Sequence, residues 1–300
     1  MTRSFRRVAV IGGDGVLGVH MLKLLLDQAD IDRVVSIGRN QRKPPVYSLG
    51  IGDGDLRFVY YQAHMVHEND ILMCILDQEE PDCVINFAAL AHATSSVDSY
   101  RYYDTNVVAL ARLTEAIREL PYFKHWMQIG SSEVHGPAVD GPCSETSPAN
   151  PTSPYAVSKL AGDMHLVTYF KSIDVPMNII RPSNAYGTGQ HLYRLMPRAA
   201  FCALTGQTFP LEGGGVAEKS FIHATDLAAA AGVDFDSFVA LAPGRATEDS
   251  RYWLDSSKIH DELGWRPQVS LETGVAEMVA WARAHLDSLK VQTQQFSLRS

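Results

Sequence analysis

Between Val8 and Leu26 the chain passes from an apolar run, through a turn rich in glycine, into a second apolar run. Val8-Ala9-Val10-Ile11 is short and unbroken, as in a parallel strand buried on both faces. Gly12-Gly13-Asp14-Gly15-Val16-Leu17-Gly18 follows, and Val19 to Leu26 reads as a helix. Strand, glycine turn and helix in that order point to an α/β fold with a parallel sheet. Gly12 and Gly15 permit a tight turn and close approach to a pyrophosphate. Gly18 lets the helix lie near the strand, and the helix N-terminus offers N–H groups to an anion. Gly12, Asp14, Gly15, Val16, Leu17 and Gly18 are therefore the candidate dinucleotide cradle, on a GxxGxxG spacing rather than GxGxxG.

The alternation continues. Stretches 34–37, 56–61, 82–89, 123–129 and 177–180 read as strands, with helices over 70–76 and 97–120 and loops over 40–55 and 137–152. Beyond residue 180 the pattern breaks down into helical stretches at 192–206, 226–232, 256–263 and 271–289, with a turn at Gly213–Gly215. The expectation is a Rossmann-type doubly wound parallel sheet over 1–180, with 216–232 returning to it. A smaller α/β substrate domain takes 181–215 and 233–290, and 291–300 form a tail.

A chain of 300 residues can bury a core without staples, and 46% hydrophobic with 20% charged content is ordinary for a soluble enzyme. A net charge of −8 argues against a nucleic-acid partner. Cys74, Cys83, Cys143 and Cys202 form no CxxC pair, and His64 and His92 lack ligand spacing, so no metal is expected and the thiols read as free. No signal peptide or membrane span is visible, which gives a cytoplasmic reading.

Where an NAD enzyme usually carries an acid after its second strand, this chain has Gly38, followed by Arg39 and Asn40. A missing carboxylate and an added guanidinium suit a 2′-phosphate, so NADP is favoured and NAD is the alternative. Ala88 ends the fourth strand beside the expected cofactor, and Asn106 and Pro182 complete the cofactor set. In Ser153-Pro154-Tyr155-Ala156-Val157-Ser158-Lys159, serine and proline suit the start of a helix. Tyr155 and Lys159, four apart, share a face, and an ammonium beside the phenol would lower its pKa and make it a proton relay. Ser131, Ser132 and Glu133 follow the fifth strand, so they should face the same cleft; a carboxylate there can take a carbon-bound proton acidified by a neighbouring ketone.

GGDGVLG, GSSEVHG, SPYAVSK, RPSNAYGTGQ and DELGWRP occur in family order, and together they resemble the extended short-chain dehydrogenase/reductases, in particular the nucleotide-sugar dehydratases and epimerases. The resemblance implies that Ser131, Tyr155 and Lys159 are the catalytic set and that Glu133 is the acidic residue of a sugar 4,6-dehydratase. Ser132, between them, is more like the GDP-mannose than the dTDP-glucose enzymes. It implies that Asn184, Arg194, Leu195, Met196, Lys219 and Arg251 bind a nucleotide-diphosphate sugar, and that the protein is a homodimer through helices in 97–120 and 154–171. His135 stands where the family has tyrosine, and the stretch 232–251 is short, as if a strand and a helix of the substrate half were lacking. A 4,6-dehydratase is the expectation. A 4-epimerase or reductase is the alternative, and a non-catalytic cofactor-sensing scaffold the third reading.

Overall fold

The structure, a computed structural model, describes residues 5–91, 97–211, 216–227, 239–241 and 251–292. Six strands form one sheet: β1 (Arg7–Ile11), β2 (Arg33–Gly38), β3 (Phe58–Gln62), β4 (Cys83–Asn86), β5 (His125–Ile129) and β6 (Met177–Ile180). Their order is β3-β2-β1-β4-β5-β6 and every pairing is parallel. The chain leaves β1 to one side for β2 and later returns on the other side as β4. The order therefore reverses between β1 and β4, which opens a crevice at their carboxyl ends. The fold class expected from the sequence is the one found.

The central strands β1, β2 and β4 are largely apolar because both faces are covered. Ala9, Ile11, Val35, Ile37, Val84 and Trp126 pack with Leu72 and Leu76 of α3 (Asn69–Glu79), Leu113 and Ile117 of α5 (Leu110–Ile117), and Leu166 and Phe170 of α6 (Pro154–Ser172). Val8, Val10, Val34, Cys83 and Ile85 face Met21 and Leu22 of α1 (Val16–Leu26) on the other side. Each fully buried aliphatic side chain contributes about 1.5–3 kcal/mol through removal from water.

The expected helix over 97–120 is not one α-helix. A turn at α4 (Tyr100–Tyr103) runs into a π-helical stretch, Asp104–Ala109, before α5. The wide turn brings the Asn106 backbone against α6: a Cβ at Gly162 would lie 2.6 Å from the Asn106 carbonyl oxygen. The Asn106 side chain is satisfied there, accepting from Leu90 N–H at 2.9 Å and donating to Leu90 O and Ser158 Oγ at 3.0 and 2.9 Å.

The expected loop 40–55 contains α2 (Pro45–Ser48), whose Val46 and Tyr47 join a second core. That core includes Leu192, Phe201 of α7 (Leu195–Thr205), and Met278 and Trp281 of α9 (Leu271–Ala284); Trp281 Nε1 donates to Val46 O at 3.1 Å. Short parallel pairs complete this part: β7 (Asn184–Tyr186) with β10 (Phe221–His223), β8 (Phe209–Leu211) with β11 (Val239–Leu241), and β9 (Glu218–Lys219) with β12 (Arg251–Tyr252). α8 (Ser257–Leu263) and α10 (Leu286–Lys290) complete the set, the stretch expected as one helix over 271–289 breaking at His285. The turn Gly213–Gly215, most of the 226–232 stretch, His92 and the tail from 293 lie outside the described residues.

Candidate active site

The glycine turn closes as its residue types dictate. Gly12, at φ +79°, sits under the end of β4, and a Cβ on it would lie 2.7 Å from Ala88 N. A Cβ on Gly18 would lie 2.4 Å from Gly12 O, so α1 can approach β1 only with glycine there. Gly15 is the N-cap of α1 and brings no capping side chain. The first-turn N–H groups of Val16, Leu17 and Gly18 are thus left for an anion at the crevice. These residues fit the pyrophosphate of a dinucleotide. Asp14 is buried and turned to the segment after β2, where its carboxylate accepts from Lys43 N–H at 2.9 Å.

Arg39 and Asn40 follow β2 in exposed positions. The NADP preference expected from Gly38 and Arg39 finds no support. The half-buried cation nearby, Lys43, has its ammonium on the Asp14 carbonyl at 2.7 Å, and the Asp14 carboxylate would oppose a phosphate. Asn106, placed in the cofactor set by the sequence, ties the chain after β4 to α6 through Leu90 and Ser158.

Gly130 follows β5, and Ser131 caps a turn of 3-10 helix, Ser132–His135, its Oγ accepting from Glu133 N–H at 3.3 Å. Ser132 N–H donates to Pro182 O at 3.2 Å, which joins this turn to the chain after β6. α6 begins as the sequence implies: Ser153 Oγ accepts from Ala156 N–H at 3.1 Å and Pro154 occupies the first turn. Tyr155 is half-buried in the cleft, and Lys159 is 4% exposed.

One electrostatic expectation is corrected. The Tyr155 pKa is not lowered in the ligand-free protein, and the Lys159 Nζ donates to Ile129 O at 2.7 Å. The Tyr155 phenol is pushed above its ordinary value, by burial first and then by the charges of Glu133 and Asp163, with Ser131 and Arg194 acting the other way. Burial brings Lys159 down to about 8, and Asp163 resists that. Without ligands, the site therefore stores its proton on tyrosine.

Arg194 stands at the N-cap position of α7, its guanidinium donating to Ala91 O at 3.2 Å and lying over the Tyr193 ring, with Leu195 and Met196 beginning the helix. Lys219 and Arg251 line a cavity of about 250 Å³ with Glu218, Ser220 and Trp253. Asn184 Nδ2 donates to Ser220 O at 3.3 Å, at the edge of this group. Arg251 is paired with Glu218 (Nε to Oε2, 2.5 Å) and lies over Trp253. The loop after the Ser131 turn is stitched to the Arg251 strand: Ala138 N–H donates to Arg251 O at 3.0 Å and Cys143 N–H to Trp253 O at 2.9 Å. Sequence reasoning missed Lys43, Asp163, Glu218 and Trp253; only Asp163, one helical turn beyond Lys159, carries a spacing signal. Among the described residues no group of His, Cys, Asp and Glu could hold a metal ion, and no helix is long and apolar enough to cross a membrane.

A switch-point crevice with a glycine cradle, faced by Ser131, Tyr155 and Lys159, defines a dinucleotide-dependent enzyme of the extended short-chain dehydrogenase/reductase class. Comparison with known proteins narrows this. The GDP-mannose 4,6 dehydratase family matches residues 9–237, and the chain belongs to that family. It is 26% identical to dTDP-D-glucose 4,6-dehydratase of Homo sapiens, over 95% of this chain and 92% of that one. It is 28% identical to dTDP-glucose 4,6-dehydratase of Mycolicibacterium smegmatis, over 93% and 94%. The crystal structure of DesIV, a dTDP-glucose 4,6-dehydratase from Streptomyces venezuelae with NAD bound, superposes with a TM-score of 0.84 at 27% identity, over 94% of this chain and 98% of that one.

Proposed function

We propose that this protein is an NAD-dependent nucleotide-sugar 4,6-dehydratase. The observation that carries the reading is Glu133, a carboxylate held two residues past Ser131 at the end of β5, close enough for its charge to act on Tyr155. A 4-epimerase needs no base at that point. NAD, rather than NADP, follows from the Lys43–Asp14 pairing and from the NAD in the DesIV structure.

A nicotinamide dinucleotide held by the glycine turn would supply the hydride acceptor for the sugar C4 and the hydride donor for C6. Tyr155 takes the proton of the 4-hydroxyl, Ser131 hydrogen-bonds that oxygen, and the Lys159 charge favours the phenolate. The 4-ketone acidifies C5–H, and Glu133 removes that proton. The C6 hydroxyl leaves as water with a proton relayed through Ser132 or a bound water, equivalent to the one Glu133 removed. A second proton, equivalent to the one Tyr155 took, returns to C5 as hydride adds to C6. The net change is loss of one water. Arg194, Lys219 and Arg251 supply positive charge for the diphosphate, with Arg251 exchanging Glu218 for phosphate oxygens.

The division into a cofactor half and a substrate half, as read from the sequence, belongs to this proposal. So does a homodimer through α6 and its neighbours, where Val157, Met164 and Val167 stand exposed, as do Tyr100 and Val108 on the segments packed against α6. The four cysteines are unpaired, in keeping with the cytoplasm. The test is incubation with NAD and dTDP-glucose, then GDP-mannose and UDP-glucose. A product lighter by one water upholds the reading. A product of unchanged mass with C4 inverted replaces it with epimerisation.

A further inference from the structure

We propose that Asp163 is a positioning residue for this reaction: fixed by Arg181 beneath the catalytic turn, its carboxylate keeps Lys159 in the charged form on which a Tyr155 phenolate depends. The inference rests on the hydride-transfer reading above.

α6 carries Tyr155, Lys159 and Asp163 at steps of four, so the three share one face. Asp163 is 2% exposed. A carboxylate so far from water needs a counter-charge, and Arg181, just past β6, supplies it with Nε donating to Oδ2 at 2.8 Å. The pair fills the space against Gly130, the residue before Ser131. A Cβ at Gly130 would lie 2.9 Å from Arg181 Cγ and 3.3 Å from Asp163 Oδ2. The acid is thus packed under the strand end that presents the catalytic serine.

Lys159 needs such a neighbour. Its hydrogen bond to Ile129 O orients the amine, but a neutral acceptor does little to hold a charge. The groups acting on this cluster come from several elements. Burial pushes the Asp163 carboxyl up, and Arg181, Lys159 and His135 oppose that in favour of the carboxylate. On Lys159, burial favours the neutral amine, and Asp163 is the charge that opposes burial. On Tyr155, Glu133 and Asp163 favour the phenol, while Ser131 and Arg194 favour the phenolate. Buried from solvent, Asp163 acts through the lysine. It is the acid, rather than Glu133, that sets whether the lysine is charged at neutral pH.

The test follows the Lys159 ε-carbon by NMR in the full chain labelled with ε-¹³C lysine, the signal being assigned by its loss in Lys159→Gln. In Asp163→Asn the lysine midpoint is expected to fall by about one pH unit or more, and in Asp163→Glu to return towards that of the unaltered protein. The alkaline limb of kcat should move the same way. The double variant Asp163→Asn/Arg181→Gln removes both charges of the pair and should show the same fall, so one unfolded variant does not stop the test. An unmoved lysine midpoint in either folded variant overturns the proposal. Because the titration needs no turnover, an active enzyme with an unshifted lysine overturns this link alone. A shifted lysine in a protein that dehydrates no sugar upholds the link and sinks the functional reading.

Discussion

Lys43 holds Asp14 at two points, its N–H on the carboxylate at 2.9 Å and its Nζ on the carbonyl oxygen at 2.7 Å. The glycine turn is thereby fastened to the segment that follows β2, where the adenosine end of a dinucleotide lies in this fold. Burial pushes the Lys43 amine down from its ordinary value, and the Asp14 charge opposes that. Replacing Lys43 by Met removes one charge-assisted bond and frees the turn. Affinity for NAD is expected to fall about tenfold, the scale of one such hydrogen bond. NADP binding should fall by the same factor, because the ammonium serves Asp14 and not a 2′-phosphate. Calorimetric titration of both nucleotides checks this; a loss confined to NADP would restore the preference read from Arg39.

Glu133 gives the sharpest chemical prediction. Glu133→Gln keeps size and hydrogen bonding but cannot accept the C5 proton. Dehydration should drop by about 10²–10⁴, the usual contribution of a positioned base, while transient reduction of NAD by the sugar persists. Stopped-flow absorbance of the reduced cofactor, set against product mass, separates the two steps. Full dehydration by the variant would remove Glu133 from the mechanism.

Much of this could be read from the chain because local chemistry and tertiary contact agree at the relevant places. A Cβ on Gly18 would collide with Gly12, so the glycine spacing is itself a packing constraint. Ser153 and Pro154 start α6 by local bonds that any helix would form, and Tyr155 and Lys159 follow from its period. What was not legible depends on neighbours distant in sequence. The π-helical turn at Asn106 exists because its side chain finds Leu90 and Ser158, and no local propensity announces that. The Lys159 amine is oriented by Ile129 O, a backbone acceptor at the end of β5 that no local pattern announces. Pro45–Ser48 looked like loop and folded as a helical turn because Val46 and Tyr47 could join a core centred on Trp281.

The exposed apolar side chains of α6 lead to an assembly prediction. Val157, Met164 and Val167 recur on one face, and 62% of Met164 is open to solvent in the single chain. A charge at that face should oppose pairing, since an unpaired carboxylate is costly to bury. Val167→Asp is expected to convert a dimer to monomer in sedimentation velocity, with far-ultraviolet circular dichroism unchanged. An unaltered sedimentation coefficient would place any dimer contact elsewhere.

His20 links α1 to residues far along the chain, and its burial has a cost at acid pH. Its Nε2–H donates to Thr188 O at 3.1 Å, and Nδ1 accepts from Thr225 Oγ1 at 2.9 Å, a pattern that needs the neutral ring. Burial lowers its pKa to about 4; the Thr188 bond opposes that, and His223, ring to ring at 5.8 Å, adds to it. An unfolded histidine titrates near 6.5, so from there down to about 4 the unfolded chain binds more protons than the folded one. Stability is therefore complete above pH 6.5 and falls on acidification, by about 2 kcal/mol at pH 5 from this residue. Asp14, Asp163 and Asp226, whose carboxyls burial pushes up, act in the opposite sense, so the residue must be isolated by difference. In urea unfolding at pH 7 and pH 5, His20→Gln should lose about that 2 kcal/mol of pH dependence relative to the unaltered chain. It should also be the less stable of the two at pH 7, because glutamine repeats the donor and acceptor but not the ring's packing. An equal pH dependence in both proteins would mean that His20 takes up its proton without leaving Thr188 and Thr225.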